Sequence, residues 1–276
     1  MQTIKCQVLS LAFLFSTYAV AGDDLPSEAV LLLDESIKGN FHSESASGTE
    51  AADAMRLNAV KVEAYTWGIQ EGAYFRNNEI QSLLNKNSFV LNKTVTLSKF
   101  LIDGKMLMPT VLEAERVYVQ NSASEARSIN MSYTLDKSPK IVSQAPTWHD
   151  YLIRTMPKPR KPIRNAYPRN SLESDAWRVE FERGWFKGVD QANKIYQSDL
   201  NKMHKDVTGL YRFRFLLAQN IVTLPRLVRD KSSVMLLDSG KTINLNDVKY
   251  TIQLDAQFNK VTEWKPVFNR GSAHER

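Results

Sequence analysis

Cysteine is almost missing from this chain: of 276 residues only Cys6 is one. That excludes a disulfide framework and any metal site built from several thiolates. Histidine is scarce as well. His42, His149, His204 and His274 are scattered, and none stands four residues from another on a helix, the spacing a zinc-binding helix needs. No nucleophile elbow, P-loop, dinucleotide fingerprint or zincin motif occurs, so no catalytic, metal-binding or cofactor-binding residue is expected, and no cofactor. The overall charge balance is mild. Lys+Arg 36 against Asp+Glu 30 leaves +6, a mild excess that does not gather into a nucleic-acid footprint, and no direct nucleic-acid binding is expected. The rest is ordinary globular composition, 43% hydrophobic and 24% charged, enough for one large domain or two of about 130 residues.

Long hydrophobic runs are also missing, with one exception. Val8 to Phe15 is almost unbroken apolar sequence, Lys5 precedes it, and Ala19-Val20-Ala21 stands before Gly22. A positive start, a short apolar run and a small-x-small site in that order predict a signal peptide over 1–21, cut between Ala21 and Gly22. The run is too short to span a bilayer, and no other segment approaches the roughly 18 apolar residues a span requires. The mature chain is then exported and cysteine-free. Two matches to the glycosylation sequon, at Asn92 and Asn130, are read as chance.

From Gly22 to Gly48 the sequence is polar, with an apolar island at Val30 to Leu33, and reads as an extended N-terminal arm. Ser47-Gly48-Thr49-Glu50 has the form of a capping box. Beyond it Met55, Ala59, Val62, Ile69, Ala73, Ile80, Leu83 and Leu84 recur at helical spacing. A second long helix opens near Ser171, with Trp177, Phe181, Trp185, Val189, Ala192, Tyr196, Leu200, Met203 and Val207 on one face.

These helices are copies of one another at an offset of 116. Gly68 and Gly72 fall on Gly184 and Gly188, Asn77 on Asn193, Pro109 on Pro225 and Trp148 on Trp264. Ten of the 45 positions from 68 to 112 are identical to their counterparts, against roughly one in sixteen expected from composition. A period this long marks a doubled domain rather than a solenoid. Each copy reads as a long helix, a short apolar helical stretch, a proline, then strands: Val111 to Val119 and Ser128 to Leu135 in the first, and Val234 to Leu237, Thr242 to Leu245 and Lys249 to Leu254 in the second. Tyr250, Ile252 and Leu254 alternate as a strand buried on one side. The class is therefore α+β, long helices packed with antiparallel sheet. Glycines four apart on both helices predict a close approach of one helix to the other. The organisation becomes 1–21 signal peptide, 22–48 arm, 49–156 first copy, 157–170 connector, 171–268 second copy and 269–276 tail.

The connector holds Pro157, Pro159, Pro162 and Pro168 with Lys158, Arg160, Lys161, Arg164 and Arg169. Such a segment is extended and semi-rigid. As a solvated linker it does nothing further; as a strap, its five cations are the candidate contact with an acidic partner or an anionic envelope surface. Catalytic alternatives are thin. His149-Asp150 has no Ser or Cys placed to complete a relay, and adjacent residues do not face one another, so a surface turn anchored by Trp148 is the expectation. Glu63, Glu71, Glu180 and Glu182 interleave with Lys61, Arg178, Arg183 and Lys187, as charges on the outer face of a helix do.

Certain stretches nonetheless form a recognisable set: Arg56-Leu57-Asn58-Ala59, Gly68 to Gly72, Pro146-Thr147-Trp148-His149-Asp150-Tyr151-Leu152, Gly184-Trp185 with Gly188 to Asn193, Leu216 to Pro225, and Trp264-Lys265-Pro266. From about Arg56 to Val267 the chain resembles the DotC family of type IVB secretion systems. The resemblance implies a non-enzymatic, periplasmic subunit of the outer-membrane core complex, assembled in a ring, that helps DotD-type and DotH-type partners place the channel. It carries over no catalytic residue. Members of that family are typically lipoproteins, whereas Gly22 stands here where the lipidated Cys would be, so membrane attachment would come through a lipidated partner. Two other readings of the residues stay open: a soluble periplasmic ligand-binding or scaffold protein unrelated to secretion, and a cell-wall hydrolase.

Overall fold

The computed structural model describes residues 25–38 and 50–265; the signal peptide with its Ala21/Gly22 junction, Ser47 to Thr49 of the capping box and the tail 269–276 lie outside them. The described helices are α1 (Ser27–Lys38), α2 (Glu50–Lys86), α3 (Ser88–Thr94), α4 (His149–Leu152) and α5 (Ser171–Ala218). The strands are β1 (Leu101–Ile102), β2 (Met106–Leu107), β3 (Thr110–Ser122), β4 (Glu125–Lys137), β5 (Lys140–Ile141), β6 (Arg226–Leu237) and β7 (Thr242–Leu254). All pairing among the named strands is antiparallel: a small sheet β1-β2-β5 and two separate ribbons, β3-β4 and β6-β7. The fold is α+β, as the periodicities predict.

The chain forms two compact units that cut across the sequence copies. One comprises residues up to 94 with 151–201, the other 95–150 with 202 onward. The long helix of the first copy and α5 up to Asn201 share the first unit, while the rest of α5 and the ribbons of both copies share the second. A copy therefore cannot bury its own core: its helix packs on the other copy's helix.

In the helical unit α2 and α5 run parallel. Gly68 lies against Phe181 and Trp185, Gly72 against Trp185, Gly184 against Tyr65 and Ile69, and Gly188 against Ile69 and Ala73. A Cβ at any of these four would fall inside the facing carbonyl oxygen, so the backbones approach as only glycine permits. Beside this seam Trp67, Trp177, Phe181 and Trp185 form an aromatic core, with Trp67 5.0 Å from Phe181 and 6.1 Å from Trp177 between ring centroids.

The arm expected to be extended is a helix where it is described. Ala29, Leu33 and Ile37 of α1 recur at four-residue spacing and are buried against the aromatic core. Trp177 Nε1 donates to Ser36 Oγ at 3.1 Å, and Ser36 Oγ donates to the Leu33 carbonyl at 2.6 Å. Twelve residues are too few to make a helix alone in water; docking supplies what propensity lacks.

The second unit departs from the repeat in instructive ways. The first copy breaks its helix at Asn87, whose carbonyl accepts from the N–H groups of Val90 and Leu91 to start α3 and whose side chain donates to the Leu83 carbonyl at 2.8 Å. The counterpart is Met203, a good helix former, and α5 runs on unbroken to Ala218, so the short second helix expected in that copy is part of the long one. The strands expected as three pieces in the second copy are one hairpin beginning at Arg226. Leu254 is exposed, so the alternation near Tyr250 marks a half-buried strand at most. Pro109 and Pro225 each precede a long strand, matching the offset. Trp148 is fully buried while Trp264 is 44% exposed, so that pair shares position but not environment.

Three ion pairs fix the base of the first ribbon to α5: Arg212–Glu113 at 2.5 Å, Lys137–Asp206 at 2.6 Å and Lys205–Asp136 at 3.0 Å. Beneath them Val111, Phe213, Leu216, Val222 and Ala256 are buried together. Among the described residues no helix is long and apolar enough to cross a membrane.

Candidate interaction site

The basic connector follows α4 and belongs to the helical unit. Proline at 157, 159, 162 and 168 denies it a helix, and apart from a 3-10 turn over Arg164–Ala166 it has no regular structure before α5. It is nevertheless anchored. Arg56 on α2 donates through Nη1 to the Asn165 carbonyl and through Nη2 to the Tyr167 carbonyl, both at 3.2 Å. The same guanidinium pairs with Glu173, Nε to Oε1 at 2.9 Å and Nη2 to Oε2 at 3.1 Å.

Glu173 is buried and does more than hold Arg56. Asn170 Oδ1 accepts from the Glu173 N–H at 2.8 Å, and Glu173 Oε2 accepts from the Arg169 N–H at 2.9 Å. That is reciprocal capping of the α5 N-terminus, with Arg56 closing it against α2. Sequence reasoning found Arg56 in the family-like stretch but not this role; Asn170-x-x-Glu173 was the signal available for the cap.

Tyr167 packs on Trp177 with ring centroids 5.5 Å apart, and Pro168 is buried. Burial pushes the Tyr167 phenol up from its ordinary pKa. Nearer the start of the segment Lys161 Nζ meets Glu35 Oε1 of α1 at 2.8 Å, and that hydrogen bond raises the lysine pKa. Both partners are exposed, so the bond positions more than it stabilises. A cavity of about 120 Å³ lies beneath, lined by Leu32, Glu35, Ser36, Trp67, Lys161 and Tyr167.

The structure thus brings the connector onto its own unit rather than leaving it loose. Lys158, Arg160, Lys161, Arg164 and Arg169 all have exposed side chains. The backbone is held while the charges face outward.

Four of the residues weighed for catalysis, His149, Asp150, Glu180 and Glu71, have partners within the fold. Asp150 Oδ2 accepts from the Thr147 N–H at 2.6 Å and from Thr147 Oγ1 at 3.0 Å, capping α4. His149 stacks on Trp148 with ring centroids 3.7 Å apart. Glu180 pairs with Arg183 one turn on. Glu71 corrects the expectation of an outer-face charge: it is 6% exposed and accepts from Trp67 Nε1 at 3.1 Å. Burial raises its pKa, the Trp67 hydrogen bond and Lys158 opposing that shift. The buried indole one turn earlier is what draws a carboxylate inward. Among the described residues no group of three or more His, Cys, Asp or Glu is placed to hold a metal ion.

No curated protein matches the chain. A family model described as "Type IV secretory system, conjugal DNA-protein transfer" matches residues 54–266, a span running from the first turns of α2 past the last strand and including Arg56, both pairs of seam glycines and the connector. The chain belongs to this TraI-type, DotC-like family of type IV secretion components.

Proposed function

We propose that the chain is a non-enzymatic structural subunit of the outer-membrane core complex of a type IVB conjugation system. In this reading it is exported, loses residues 1–21, carries no lipid of its own, and works with a DotD-type lipoprotein to place a DotH-type channel ring. The observation that carries the reading is the family match across both helices and both ribbons. The connector supports it: a segment with four prolines and five exposed basic residues, pinned by Arg56 and Tyr167, offers a pre-ordered cationic edge that loses little entropy on docking.

Affinity capture of the tagged chain from detergent-solubilised envelopes of a conjugating host tests the reading. DotD-type and DotH-type subunits should co-elute, and intact mass should begin at Gly22 without acyl chains. Recovery of the chain alone from envelopes in which the channel is assembled refutes it. Peptidoglycan cleavage by the purified chain would favour the hydrolase instead.

A further inference from the structure

The cavity of about 120 Å³ in the helical unit draws its walls from three segments: Leu32, Glu35 and Ser36 of α1, Trp67 of α2, and Lys161 and Tyr167 of the connector. Its buried polar groups are already committed inside the fold. Ser36 Oγ donates to the Leu33 carbonyl and accepts from Trp177 Nε1, and Trp67 Nε1 donates to Glu71. What Leu32, Ser36 and Trp67 leave to the cavity is therefore carbon, an apolar floor. A water sits well only with two to four hydrogen bonds, so this floor holds water poorly. An apolar group that displaces such water gains affinity.

The rim is the reverse. The side chains of Lys161 and Glu35 are 59% and 65% exposed, opposite in charge, one on the connector and the other on α1. Lys161 Nζ spends one N–H on Glu35 Oε1 at 2.8 Å and keeps two to offer. The Tyr167 hydroxyl has no hydrogen-bond partner among the described residues. Burial holds its pKa above the ordinary value, so at neutral pH it remains a donor. An ammonium, a carboxylate and a free phenol thus stand over a small apolar space. A few convergent polar groups on an apolar pocket are what a small-molecule site is made of.

Size and charge name the class of ligand. A cavity of about 150 Å³ takes a benzene, so this smaller one suits an aliphatic side chain of roughly three or four carbons and not an indole. Opposed charges at the rim suit a molecule that carries both. We propose that the cavity binds a free α-amino acid with an aliphatic side chain the size of valine or leucine. The side chain lies against Leu32 and Trp67, the α-ammonium meets Glu35, and the α-carboxylate meets Lys161 and the Tyr167 hydroxyl. Entry requires Lys161 and Glu35 to part, which costs little because the pair is exposed, and the ligand returns a counter-charge to each. Bound, it ties α1 to the connector. The inference goes beyond the core-subunit reading and does not rest on it.

Isothermal titration calorimetry on the full mature chain tests this with leucine and valine, beside isopentylamine and isocaproate, which are leucine without its carboxylate and without its ammonium. Leucine or valine should bind one to one. Each single-charge analogue should bind at least about tenfold more weakly, a loss near 1.4 kcal/mol. Leucine should lose as much on Glu35→Gln and on Lys161→Gln. Both side chains are exposed, so these variants should fold, which unchanged thermal melting without ligand confirms. Leu32→Phe, which fills the floor, should abolish binding. No heat and no rise in melting temperature with either amino acid at tens of millimolar overturns the proposal. Isopentylamine binding as tightly as leucine overturns it too, since the site would then be one for amines alone. Undiminished binding of leucine to Glu35→Gln or to Leu32→Phe would place the ligand elsewhere and overturn it as well.

Discussion

Gly68 and Gly184 occupy equivalent places across the α2–α5 seam. Gly68 lies against the carbonyl of Phe181, and Gly184 against that of Tyr65, residues that are themselves 116 apart. Gly72 and Gly188 repeat the relation against Trp185 and Ile69. The seam is a two-fold pairing of like helices within one polypeptide, a dimer interface made intramolecular by duplication.

Replacing Gly72 or Gly188 with Ala is therefore expected to destabilise. Alanine gains about 1 kcal/mol of helix propensity, but its methyl meets backbone, which cannot rotate aside, and overpacking of this kind costs about 1–3 kcal/mol. Chemical denaturation should show a net loss for each. A gain would mean that the seam opens without penalty.

The seam was legible in the sequence because spacing alone puts glycines on one face and the offset shows them twice. The ribbons were legible where alternation is clean, as in Ser128 to Leu135, and not across Arg226 to Ser233, where Arg229, Asp230 and Lys231 interrupt any apolar pattern. Helix α1 went unread because Ala29, Leu33, Ser36 and Ile37 make a helical face only once an aromatic groove exists to receive them. The candidate site was half legible: prolines and cations marked the connector, but nothing local announces that Arg56, more than a hundred residues away, holds it down. Glu71 shows the same limit, since its burial goes with its hydrogen bond to the Trp67 indole, which only the packed core supplies.

Arg56→Ala should loosen the connector. The change removes two backbone hydrogen bonds and leaves Glu173 buried without its guanidinium. A fully buried broken pair costs about 3–5 kcal/mol; with the Arg56 side chain 26% exposed, about 2 kcal/mol is the expected loss. Trypsin should then cut after Arg160 or Arg164, neither of which precedes a proline, much faster than in the wild type. Equal cleavage rates would show that Tyr167 and Pro168 suffice.

Glu71 gives a pH dependence of definite sign. Its folded pKa is raised above 4.5, so in the window upward from 4.5 the folded state holds more protons than the unfolded state. Stability contributed by this group is full below that window and falls as pH rises through the folded pKa. Glu71→Gln keeps an acceptor for Trp67 and should flatten this fall, leaving the variant at least as stable as wild type at pH 7. Thermal melts from pH 4 to pH 8 decide it, and identical slopes would place the titration elsewhere.

The connector's charges can be separated from its anchoring. Lys161 already serves Glu35 within the molecule, whereas Lys158, Arg160, Arg164 and Arg169 share exposed side chains on a backbone fixed by Arg56. Serine at Lys158, Arg160 and Arg164 should leave the melting temperature within about 1 °C, since exposed ion pairs are worth only about 0.2–1 kcal/mol each. Assembly into the core complex should fall, and the wild-type contact should weaken with salt over the range where the Debye length shrinks from about 10 to 3 Å. Adding Lys161→Ser to the triple variant tests whether the Glu35 contact helps present the strap: assembly should drop further only if it does. Unchanged assembly in both variants, with unchanged melting, would reduce the segment to a linker whose cations serve solubility alone.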